Sequence, residues 1–155
     1  MLKAKDIMTR DIITVLPNTE IAHAARLLLD KGFNGVPVVD EKGKLVGIIC
    51  QSDLIAQQKN FPLPSVFTLL DGFIPLASLK HYEKAIQKIA ATTVADAMTP
   101  NPITVNPETG IEDIAGLMVD KNLHTLPVVD EKGKLMGIVG KEDILKTLIS
   151  ESEPI

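Results

Sequence analysis

The chain has no tryptophan and a single tyrosine, so it lacks an aromatic platform on which nucleobases could stack. It is also short of positive charge. The net charge is −4 and the pI about 5.3, which argues against phosphate backbones or anionic membranes as partners. Neither a nucleic acid nor a membrane is therefore expected to bind. One cysteine, Cys50, excludes an internal disulfide and fits a reducing compartment. No close group of His, Cys, Asp and Glu has the spacing of a metal site, so no metal is expected. GxxxxGK[ST], GxGxxG and GxSxG motifs are all missing, and no catalytic residue is expected. Met1–Asp11 has no apolar segment of the kind a secretory leader needs. The longest apolar-rich stretch, Val66–Leu79, is broken by Asp71, Gly72 and Pro75, too short to span a bilayer. These absences lead to the expectation of a soluble, cytoplasmic protein.

What the chain does have is an internal repeat at an offset of 90 residues. PVVDEKGKL occurs at 37–45 and again at 127–135. Aligned without a gap, 25 of 54 positions in 4–57 and 94–147 are identical. DIMT at 6–9 matches DAMT at 96–99, and ITV at 13–15 matches ITV at 103–105. Two such units in tandem pack on each other when neither buries its apolar face well alone.

Each copy carries the same series of signals. A short extended segment, Ile12–Val15 or Ile103–Val105, stops at Pro17 or Pro107, because proline cannot continue a ladder. A helix follows. Thr19 is its expected cap in copy one, and Thr109 with Glu112 has capping-box spacing in copy two. Ile21, Ala24, Ala25, Leu28 and Leu29 form one apolar face, as do Ile111, Ile114, Ala115, Met118 and Val119. Gly32 and Asn122 suit the left-handed residue at the helix ends. Then come strands Val36–Val39 and Leu126–Val129. A DEKG turn follows, whose Gly43 or Gly133 takes positive φ, and then return strands Leu45–Ile49 and Leu135–Val139, a hairpin signature. A second helix starts near Ser52 and Glu142. Residues 58–93 are not repeated. Asn60–Ser65 reads as irregular, Val66–Leu79 as a segment that packs on the domain, and Tyr82–Ala91 as a helix. This makes an α+β fold.

The paired DIMT/DAMT, ITVLP/ITVNP and GVPVVDEKGKLVGII/TLPVVDEKGKLMGIV blocks, closed by Asp53 and Asp143, resemble a tandem CBS-domain protein, or Bateman module. The resemblance implies two CBS half-domains, residues 1–57 and 94–155, packed by pseudo-twofold symmetry around short β-sheets, with 58–93 as an insert. It also implies a cleft on each side that binds an adenosine-containing ligand: AMP, ADP, ATP or S-adenosylmethionine. No cofactor is required. A homodimer and a separate effector protein are implied as partners.

By the same resemblance the ribose-contacting acids map to Asp53 and Asp143, since a carboxylate accepts two hydrogen bonds from a ribose diol. The other reading of either acid is a first-turn residue that favours the helix dipole. The base-binding positions map to Ile12, Ile13, Thr14 and Asn34 to Pro37, Val36 included, in copy one. In copy two they map to Pro102, Ile103, Thr104 and His124 to Pro127, Leu126 included. The family's hydroxyl position is Cys50 in one copy and Gly140 in the other, and neither donates a strong hydroxyl hydrogen bond to a phosphate. Free amides at a helix start still attract one. Gly140 allows close backbone approach and Lys141 adds charge, which favours the second cleft. His124, opposite Asn34, reads either as a ligand contact or as a helix-end residue. His23 and His81 read as surface residues, and Cys50 as half-buried at a strand end. The expected function is ligand sensing. The alternative is a non-catalytic protein-interaction or dimerisation module whose clefts are degenerate.

Overall fold

The computed structural model describes residues 1–60 and 92–152. The expectations for Val66–Leu79, Tyr82–Ala91 and His81 lie outside the described residues. So does that for Asn60–Ser65, apart from Asn60 itself.

In chain order the first copy contains α1 (Ala4–Ile7), α2 (Ile21–Lys31), β1 (Gly35–Val39), β2 (Leu45–Cys50) and α3 (Gln51–Asn60). The second contains α4 (Val94–Ala97), β3 (Thr99–Pro100), α5 (Ile111–Asp120), β4 (Thr125–Val129), β5 (Leu135–Gly140) and α6 (Lys141–Ser152). Both hairpins form where PVVDEKGKL predicts them, with Gly35 opposite Cys50 and Thr125 opposite Gly140. Asp40 and Asp130 close the turns, each accepting from two backbone amides at 2.9 Å. Gly43 and Gly133 sit at φ +81° and +82°, a region that only glycine enters without steric cost. The two turns meet. The Leu45 amide donates to the Gly133 carbonyl at 3.1 Å and the Leu135 amide to that of Gly43 at 3.3 Å, with Lys44 opposite Lys134.

Four local expectations change. The segments at 12–15 and 103–105 are not strands. Only Val15 and Val105 bridge, to Val38 and Val128, because the chain turns away immediately afterwards at Pro17 and Pro107. Thr19 and Thr109 do not cap α2 and α5. Their hydroxyls accept from the Leu16 and Asn106 amides at 3.0 and 3.1 Å, closing the turn over the proline, and Glu20 and Gly110 are the capping residues. Leu29 and Val119 are 79% and 80% exposed, so the buried stripe is narrower than the apolar one. The short helices α1 and α4 are additional to the expected elements.

Those two short helices determine how the halves are built, because each packs on the other copy. Ala4 and Met8 are buried with Val105, Ile114, Leu126, Val128 and Val139 of copy two. Val94, with Ala97 and Met98 beside it, joins Val15, Leu28, Val36, Val38 and Ile49 of copy one. Backbone pairing crosses in the same way. Thr9 bridges Ile138, and β3 pairs with β2 through Thr99 and Ile48. Both described cores therefore contain residues of both copies, and each large apolar side chain buried there contributes roughly 1.5–3 kcal/mol.

The crossing is marked on the surface by one ionic clasp. Glu108 accepts from the Lys3 and Lys5 ammonium groups at 2.6 and 2.8 Å. These bonds, Lys3 first, pull its carboxyl down to about 2 from 4.5, and the Glu108 hydrogen bond raises Lys5. A depressed acid stabilises the fold fully above its unfolded value, and that stabilisation disappears as pH falls through the folded one. Between pH 4.5 and about 2, Glu108→Gln should therefore lose less Tm than the parent chain. The difference should shrink at about 1 M salt, where exposed charges are screened. Parallel acid-melting curves with the same slope would remove the clasp from the account.

Candidate functional site

The crossing creates two clefts, and each takes its parts from both copies. In the first, of about 340 Å³, Ile12, Ile13, Asn34 and Pro37 of copy one face Ile138, Gly140 and Asp143 of copy two. In the second, of about 520 Å³, Pro102, Ile103, His124 and Pro127 of copy two face Ile48, Cys50 and Asp53 of copy one. The residues named here correspond pair by pair at the 90-residue offset, Ile13 with Ile103, Pro37 with Pro127 and Asp143 with Asp53 among them. Both volumes fall in the range of about 300–1,000 Å³ that small-molecule sites occupy.

Each acid is held at a helix start. Asp53 and Asp143 are third residues of α3 and α6. Asp53 Oδ2 accepts from the Cys50 amide and Asp143 Oδ2 from the Gly140 amide, both at 2.8 Å. This is the reach-back half of a capping box. The first-turn reading of these acids and their position in a cleft are therefore compatible, because each carboxylate caps its helix while lining a cleft wall. Asp53 has a further tie, with Oδ1 accepting from the Thr99 hydroxyl of copy two at 3.2 Å.

The polar surroundings differ between clefts. The first contains Lys31 and Lys146 together with Asp11 and Glu142. Glu142 crowds the glycine, its Oε2 lying 3.1 Å from where a Cβ on Gly140 would stand. The second contains Gln51, Ser52, Asn101, Asn122 and His124. Asn101 and Asn122 hold φ +48° and +54°, left-handed positions that asparagine tolerates. Burial, then the nearby Asp53 charge, pushes the Cys50 thiol up to about 11, so it faces the cleft as a neutral, weakly donating group.

The remaining mapped positions scatter. Val36 and Leu126 are fully buried in the cores. Thr14 is exposed and lines neither cleft. Thr104 lines a separate broad depression, of about 970 Å³, beside Glu108, Asp130 and Glu131. Lys141 is exposed at the start of α6 and lines neither cleft. Its amide donates to the His124 carbonyl at 3.0 Å. His124 lies with Asp53 rather than with Asp143. Sequence reasoning did not single out Thr9, Thr99 or Phe33 as lining residues, whereas Thr125 falls within its mapped range of His124 to Pro127. The two DxMT threonines were signalled by their repetition. Among the described residues no group of three or more His, Cys, Asp and Glu could hold a metal, and no helix is long and apolar enough to cross a membrane.

Comparison with known proteins gives consistent matches. The family model for the CBS domain matches residues 4–60 and 94–150. The protein MJ1426 of Methanocaldococcus jannaschii is 35% identical over 154 residues, covering 94% of this chain and 90% of that one. The crystal structure of Arabidopsis thaliana CBSX2 in complex with AMP superposes with a TM-score of 0.76 at 29% identity, covering 99% of this chain and 100% of the other. The CBS domain pair of MJ0100, solved with 5′-methylthioadenosine and S-adenosyl-L-methionine, superposes with a TM-score of 0.71 at 30% identity, covering 98% and 99%.

Proposed function

Because this chain belongs to the CBS-domain family and carries that domain twice in tandem, we propose that it is a non-catalytic sensor of an adenosine-containing metabolite. The observation that carries this reading is the pair of clefts. Each joins isoleucine and proline walls from one copy to a carboxylate fixed at a helix start in the other. The apolar walls suit the faces of an adenine. The carboxylate suits a ribose diol, to which charge-assisted bonds are the strong ones. AMP, ADP, ATP and S-adenosylmethionine are the ligands to consider, given what CBSX2 and MJ0100 bind. Both walls of each cleft come from different copies, so a bound ligand bridges the halves. It changes their relation to the extent that it prefers one arrangement. We assign the readout to a separate effector protein in the cytoplasm, and a homodimer to the exposed apolar residues Leu29, Ile55, Val119, Leu145 and Leu148.

A second reading, a structural interaction module, is favoured by two features. Asp53 has both oxygens bonded inside the protein, and Glu142 stands where an anion would approach Gly140.

Calorimetric titration of nucleotide-free protein with AMP, ADP, ATP and S-adenosylmethionine separates the two. Asp143→Asn keeps an oxygen for the Gly140 amide but loses the charge. It is expected to weaken the tightest ligand at least about tenfold, the worth of a charged hydrogen bond. Heat-silent titrations with all four would leave the interaction module standing.

A further inference from the structure

Among the described residues, two belong to both clefts. Asn34 and Thr125 line the first and the second alike, forming the partition between them. They are not equivalent by the repeat, since the 90-residue counterparts are His124 and Gly35. The partition is therefore asymmetric within a symmetric frame. Neither side chain hydrogen-bonds another described residue, so both polar groups remain available to a ligand. The backbone ties the partition to the far sides of the clefts. The Asn34 carbonyl accepts from the Gln51 amide at 3.2 Å, at the start of the helix that carries Asp53. Thr125 is paired with Gly140, the residue whose amide holds Asp143.

Resting on the adenosine reading above, we infer that the two clefts are negatively coupled through Asn34 and Thr125. A threonine hydroxyl has one hydrogen to donate, and an asparagine amide presents its carbonyl on one edge and its NH₂ on the other. A ligand that fills one cleft orients both groups toward itself and leaves the second cleft the complementary, poorer set. Coupling is reciprocal, so the penalty is the same whichever cleft fills first.

AMP titration of the full chain tests this. Asp53→Asn isolates the first cleft and Asp143→Asn the second. In the parent chain the product of the two association constants should fall about tenfold below the product measured separately in these variants, within the usual range of coupling. Asn34→Ala with Thr125→Val should close that gap, whereas Thr125→Ser, which keeps the hydroxyl, should preserve it. Equal products, or a gap that survives the double substitution, would each overturn the coupling. Absence of heat with AMP, ATP and S-adenosylmethionine would instead remove the adenosine reading, and the coupling with it.

Discussion

Deletion of residues 1–9 should destabilise the protein by at least about 4 kcal/mol, and the damage should appear in the half to which those residues do not belong by sequence. The estimate starts from Met8, 8% exposed in the copy-two core, since truncating a buried methionine to alanine costs about 2–5 kcal/mol. The deletion also removes fully buried Ala4, the Thr9–Ile138 bridge, and the Ala4 and Lys5 amides' bonds to the Thr109 and Pro107 carbonyls at 2.8 and 3.0 Å. Denaturant unfolding gives the size, and amide hydrogen exchange gives the place. Protection should fall first in β4 and β5. If β1 and β2 lost protection first, the crossed packing would be wrong. Met8→Ala alone should reproduce the location with a smaller loss.

The second large effect is steric. A Cβ on Gly137 would stand 2.5 Å from Met8 Sδ, 2.8 Å from its Cγ and 3.1 Å from the Thr9 carbonyl oxygen. On Gly47 it would stand 2.5 Å from Met98 Sδ and 3.0 Å from the Thr99 carbonyl oxygen. A methionine end can swing aside, but a carbonyl held in a bridge cannot without breaking the pairing. Gly137→Val and Gly47→Val should therefore each cost about 3 kcal/mol or more, at the upper end of overpacking. The smaller Gly137→Ala offers a cleaner diagnosis. Its cost should drop by about 1 kcal/mol or more in a Met8→Ala background, because the two changes share one contact. Strictly additive losses would mean that Met8 is not what excludes the side chain.

The sequence displayed the hairpins plainly. Alternating valines, an aspartate to close the turn and a glycine for positive φ are all local signals, and β1, β2, β4 and β5 start or end within a residue of expectation. Gly32 and Asn122 likewise hold φ +66° and +54° at the helix ends. The crossing was not visible, because nothing in DIMT or DAMT states which core its methionine enters. The sign of it lay in Gly47 and Gly137, invariant between the copies in strands otherwise full of branched residues. A strand glycine often marks the close approach of another backbone. The same gap explains the clefts. Reading each copy by itself groups His124 with Asp143, whereas the crossing places it with Asp53. Thr14 and Thr104 repeat faithfully, yet they alternate with the buried Val15 and Val105 and so face away from both clefts.

The exchange of short helices also imposes an order on folding during synthesis. A chain leaves the ribosome from its first residue, and domains tend to fold as they emerge. Here Ala4 and Met8 have no core to enter until residues 105–139 have been made. The first half in turn waits for Val94 and Met98 to complete its own. Ala4 and Met8 are translated well before the core they enter, so the growing chain carries an apolar methionine without its partner until the second copy emerges.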